Sequence, residues 1–114
     1  MAKFMVMYNS AMAASEAMAN TTPEQLKASM DKWLAWRDEA SQSFKVDFGL
    51  PLQAVSQVSP DGVTDSASHV SGYSIVEGET KDALVELLKK HPHLQQPGAS
   101  IDVFEMLPMP GTDA

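Results

Sequence analysis

Two imidazoles one residue apart, His91 and His93, flank Pro92 in a chain whose third and last histidine is His69. Imidazole titrates near neutral pH, so either member of the pair could pass a proton to or from a bound ligand. They fall in a turn before a final apolar run, the kind of loop on which a rigid scaffold places functional groups. A structural reading stands beside the catalytic one: His91 could interact with the C-terminus of the preceding helix and His93 could cap the loop. Asp102 shares its strand parity with Phe104 and Met106. It is therefore either an interior carboxylate, which costs several kcal/mol unless paired, or a carboxylate on a wet rim.

Tyr73 could donate a hydrogen bond to a ligand, or sit in the core with its hydroxyl wet. Trp33 and Trp36 could line a pocket for a planar ligand, although their spacing of three also places both beside one helical stripe. His91-x-His93, with His69 or Asp102, has donors that suit zinc, but two-residue spacing alone is thin support and solvated histidines are the simpler expectation. We therefore take His93, His91 and Asp102 as the candidate acid/base groups and Tyr73, Trp33 and His69 as candidate ligand contacts, with no metal and no cofactor. The glycine-rich phosphate loops, the Gly-x-Ser-x-Gly elbow and the His-Glu-x-x-His helix are all absent.

The elements that must hold these residues can be read along the chain. Lys3 to Tyr8 is an apolar and aromatic run ended by Asn9-Ser10, which predicts a buried strand. Residues 11 to 20 suit a short helical turn. Thr22-Pro23-Glu24-Gln25 combines a capping residue, a proline where no amide partner is needed and a capping-box glutamine, so a helix should run to about Ser43. Its stripe is Leu26, Met30, Trp33, Arg37, Ala40 and Phe44, widened by Trp36.

Val46 to Phe48 and Leu52 to Val58 predict one irregular second strand, bent at Gly49 and Pro51, before a turn at Ser59-Pro60-Asp61-Gly62. Thr64 to Ser68 should be exposed. Val70 to Glu77 is the third strand, and Thr80 caps a second helix with Ala83, Leu84, Leu87 and Leu88 inward. That helix is stopped by Pro92. Ser100 to Leu107 is the fourth strand, followed by a short tail, so we expect one domain over 1–108 and a tail over 109–114.

The order β-α-β-β-α-β is that of a ferredoxin-like α+β fold: an antiparallel four-stranded sheet with both helices on one face. Strand parity makes both faces apolar, with Phe4, Val6 and Tyr8 opposing Met5 and Met7, and Ile101 and Val103 opposing Phe104 and Met106. An apolar face of that kind predicts an interface or a ligand floor, and pairing with a second copy is the simplest cover.

Composition narrows the function classes. Eight basic and fifteen acidic residues give a net charge of -7, which opposes nucleic acid and anionic membrane surfaces as partners. No stretch approaches the roughly 20 apolar residues of a spanning helix. The apolar run behind Lys3 stops at Asn9, too short for an export signal, and the chain has no cysteine, so a cytoplasmic location is expected.

Taken together the chain resembles the YCII-related family. The likeness is carried by Lys3-Phe4-Met5-Val6-Met7-Tyr8, by the helix from Thr22 with Trp33 and Trp36, and by Gly72-Tyr73-Ser74-Ile75-Val76-Glu77. The helix from Thr80, His91-Pro92-His93-Leu94 and Ser100-Ile101-Asp102-Val103-Phe104-Glu105 with Met106 to Gly111 complete it. The resemblance implies a homodimeric α+β barrel formed through the sheets, and it favours His93 within Pro92-His93-Leu94. Some relatives are similar to small lyases with a proposed His/Asp pair. Here the first long helix has no histidine and His91 stands at the position before Pro92, so that dyad is not carried over. The sequence thus leaves two readings: a homodimer that binds a small polar or aromatic metabolite, with lyase-type or proton-transfer chemistry, and a non-catalytic assembly module with structural histidines.

Overall fold

The computed structural model describes residues 2–11, 16 and 19–110. Its elements are β1 (Ala2–Asn9), α1 (Pro23–Ala40), β2 (Lys45–Pro51), β3 (Ser56–Ser59), β4 (Gly62–Asp65), β5 (Val70–Gly78), α2 (Lys81–Leu88), a 3-10 turn (Pro92–Gln95) and β6 (Ser100–Glu105). Four strands form an antiparallel sheet in the order β2-β5-β1-β6, and β3 pairs only with β4. The described residues form an α+β arrangement with a four-stranded antiparallel sheet packed with the helices α1 and α2, compatible with a ferredoxin-like fold. The helical turn expected over 11 to 20 lies largely outside the described residues, as does the end of the tail.

Local chemistry sets the helix starts. Thr22 Oγ1 accepts from the Gln25 amide at 3.1 Å and Gln25 Oε1 accepts from the Thr22 amide at 3.0 Å, a closed capping box that satisfies two otherwise orphaned donors. Thr80 Oγ1 accepts from the Ala83 amide at the start of α2. The indole Nε1 of Trp36 donates to the Leu87 carbonyl at 2.9 Å and ties the two helices together.

The core lies between the helices and one sheet face. Phe4, Val6 and Tyr8 of β1 and Val76 of β5 meet Trp36 and Ala40 of α1, Phe44 just beyond it, and Leu84 and Leu88 of α2. Gly78 lets this layer close, because a Cβ there would run into the Phe44 ring. The opposite parity of β1 and β5, Met5, Met7, Tyr73 and Ile75, is only half-buried, and Phe104 of β6 is exposed.

Two expectations are corrected. The first half of the predicted α1 stripe does not reach the core: Leu26 and Met30 are exposed and burial begins at Trp33, where the helix meets Tyr8, Phe48 and His91. Leu52 to Val58 does not continue β2. The ladder between β2 and β5 becomes irregular between Phe48 and Pro51, and the chain then forms the separate β3–β4 hairpin, whose eight residues are all exposed.

Candidate functional site

Pro92 opens the 3-10 turn that separates α2 from β6, and the turn folds both flanking imidazoles inward. His91 is 1% exposed and His93 3%. The expectation of solvated histidines therefore does not hold for these two, whereas His69 is exposed. His91 Nδ1 accepts from the His93 amide at 3.0 Å, so its proton sits on Nε2. That Nε2 is the buried side-chain polar atom without a hydrogen-bond partner among the described residues.

Aromatic rings surround His91. Trp33 stands edge-on to it at 4.4 Å between centroids, Trp36 lies at 4.5 Å and Tyr8 at 5.0 Å. Removal from water, and then the neighbouring His93, push the His91 pKa down to about 3, which holds the ring neutral at physiological pH. Tyr8 is pushed up to about 12 by burial, offset in part by its hydrogen bond with Ser74 Oγ at 2.9 Å.

His93 faces the other way. Its Nε2 lies 2.8 Å from the Asn9 carbonyl, and since a carbonyl only accepts, Nε2 carries the proton. The Asn9 side chain continues outward: Nδ2 donates to Asp102 at 2.9 Å and to Ser100 Oγ at 3.2 Å. Asn9 thus joins the buried imidazole layer to a surface group on the neighbouring strand β6, where Asn9 pairs with Ser100.

Asn9, Ser100 and Asp102 line a cleft of about 470 Å³ together with Ser10, His69 and Gly98. The Ser10 amide donates to the His69 carbonyl at 2.9 Å, which fixes the β5 side of the cleft. A smaller hollow of about 280 Å³ continues from Ser10 and His69 past Ser68 and Ser71 to Leu52. The polar groups of the larger cleft are the Ser10 and Ser100 hydroxyls, the Asn9 amide, His69 and the Asp102 carboxylate, an exposed acceptor, set among apolar wall from Ala11 and Gly98.

Family models, curated proteins and solved structures give no match to this chain. The geometry alone must carry a functional reading.

The structure divides the candidate residues into three places. His91, His93 and Trp33 come together inside the helical side of the sheet, where Trp33 also contacts Tyr8 at 5.0 Å and Phe48 at 5.8 Å, so its ring faces are taken up by the core. Asp102 and His69 meet at the cleft. Tyr73 lies on the open face, its ring against Gly49 where a Cβ would collide with it. Asp102 is exposed, on the same sheet face as its pairing partner Met7. No group of three or more histidine, aspartate or glutamate side chains able to hold a metal occurs among the described residues.

Sequence reasoning missed Asn9 and Ser74. Asn9 was legible only as strand punctuation, although an amide at a strand end beside an Asp-bearing strand can bridge the two. Ser74 sits on the inward parity of β5, and its signal was the need of an inward Tyr8 hydroxyl for a buried partner.

Proposed function

We propose that the chain is a homodimeric domain of ferredoxin-like order, similar to YCII-related proteins, that binds a small polar metabolite in the cleft beside Asn9. The observation that carries the reading is the double engagement of Asn9. Its carbonyl is gripped by buried His93 while its amide aims Asp102 and Ser100 at the cleft. A surface carboxylate held by a scaffolded amide is pre-oriented to accept hydrogen bonds from a ligand hydroxyl or amine.

In this reading Asp102, Ser100 and His69 contact the ligand and His93 is a positioning residue acting through Asn9. A second copy covers the Met5, Met7, Ile75, Tyr73 and Phe104 part of the open face, since leaving it wet forfeits the burial of about 25 cal/mol per Å². The cleft opens at the corner of that same face, where Asp102 pairs with Met7 and Ser100 with Asn9. No described helix is long and apolar enough to cross a membrane, and a cysteine-free chain of this kind suits the cytoplasm.

The burial of both imidazoles favours a second reading, a non-catalytic assembly module in which His91 and His93 are structural. Thermal melting against pools of small polar metabolites separates the two. The binding reading expects a pool that raises the wild-type melting temperature and leaves D102A unmoved; pools that shift neither protein favour the module. Sedimentation equilibrium of wild type and I75D checks the dimer, with the wild type at twice the chain mass and the variant at one.

A further inference from the structure

The β3–β4 hairpin has no core of its own. Val58 and Val63 are direct cross-strand partners, yet they are 77% and 67% exposed, and every other residue of the two strands is exposed as well. A lone two-stranded hairpin is marginal in water, so an ordered one with an apolar pair on one face needs a surface to rest on. The chain is extended to match, with a radius of gyration of 15.8 Å where a compact domain of this length has about 13 Å.

A second apolar group stands at the diagonally opposite corner of the sheet. The hairpin leaves the sheet on the β2 side, at the end where Pro51 pairs with Gly72 and Gly72 with Tyr8. Phe104 pairs with Met5, and the Met106 amide donates to the Lys3 carbonyl, which puts Phe104, Met106 and Leu107 on the β6 edge at the other end. All three side chains are exposed. Because the two groups occupy opposite corners, one chain cannot fold its own hairpin onto its own corner.

We propose that the hairpin is an arm that seats its Val58–Val63 pair on the Phe104, Met106 and Leu107 corner of a second copy of this chain. The inference rests on the self-pairing of the open face proposed above. If two sheets face each other about a two-fold axis along the diagonal joining the remaining two corners, each arm lands on the other copy's apolar corner. The strands of the two sheets then cross near a right angle, one of the two standard ways in which sheets pack face to face. Charge at this placement is mixed, since Glu105 is exposed at the receiving corner and Glu77 pairs across from Lys3. Asp65 shares the valine face of the arm and Asp61 sits at its tip, while Lys3 is exposed beside the receiving corner.

The absence of cysteine makes the test direct. The V63C/M106C double variant, treated with a short bismaleimide, should give a covalent dimer, while V63C and M106C alone should give almost none. V58S/V63S should raise the dimer dissociation constant about tenfold or more. A dimer by sedimentation whose double variant cross-links no better than the single ones, or whose dissociation constant ignores V58S/V63S, overturns the arm and leaves the face-to-face dimer standing. A wild-type monomer overturns both.

Discussion

His93 donates its Nε2 proton to the Asn9 carbonyl across 2.8 Å, and through that contact a fully buried imidazole fixes the end of a central strand. The bond explains why a histidine in a proline-bounded turn is turned inward. The β1 carbonyl at this strand end needs a donor, and the turn after α2 is the element that passes over it.

Replacing His93 by alanine removes that donor and leaves a cavity beside Tyr8, whose ring lies 5.3 Å away. We expect a loss of about 2–4 kcal/mol in urea unfolding, from the vacated volume together with the orphaned carbonyl. The amide resonances of Asn9, Ser100 and Asp102 should shift with it. A stable H93A protein with those resonances unmoved contradicts the positioning role.

His91 predicts a specific acid sensitivity. Its native pKa, about 3, lies below the ordinary 6.5, so between these values the unfolded chain binds the proton and the native one does not. Stability from this group is complete above pH 6.5, falls as pH is lowered, and stops changing once pH passes below the native value. The loss at pH 5 should be about 2 kcal/mol. Subtracting the pH profile of H91Q from that of the wild type isolates it, and identical slopes between pH 6 and 4 would remove the buried neutral imidazole from the account.

Tyr8→Phe leaves the buried Ser74 hydroxyl without its 2.9 Å partner. The expected cost is about 1–2 kcal/mol in chemical denaturation. Sedimentation should be unchanged, since Tyr8 faces the helices and not the open face.

Thr22→Ala opens the capping box at the start of α1. The bond from the Gln25 amide to Thr22 Oγ1 is lost while the backbone amide of residue 22 keeps Gln25 Oε1 as its acceptor, and about 1 kcal/mol of stability should go with the lost bond. Serine at the same position should restore most of it.

The fold was legible where pattern and punctuation agreed. Thr22-Pro23-Glu24-Gln25 marked the helix start, and the alternation of Phe4, Val6 and Tyr8 marked the buried face of β1. Leu26 and Met30 show the limit of that reading: helical periodicity gives a stripe but not how far the sheet extends beneath it. The hairpin was hidden because Val55 and Val58 look like strand continuation, and only the break in pairing after Phe48 separates them from β2. At the site, residue type pointed to His91, His93 and Asp102. Chemistry cannot reveal from sequence that a three-residue segment turns its imidazoles inward while Asp102 points away, and the link between them runs through the main chain of Asn9, which carries no sequence signal.

The most direct test of the binding cleft is a titration of the 15N-labelled protein with small polar metabolites bearing hydroxyl or amine groups, followed residue by residue. The account predicts saturable amide shifts centred on Asn9, His69, Ser100 and Asp102 that vanish in D102A, a substitution at an exposed side chain expected to alter stability by less than about 0.5 kcal/mol. Ligand shifts that centre on another surface, or that persist unchanged in D102A, would contradict it.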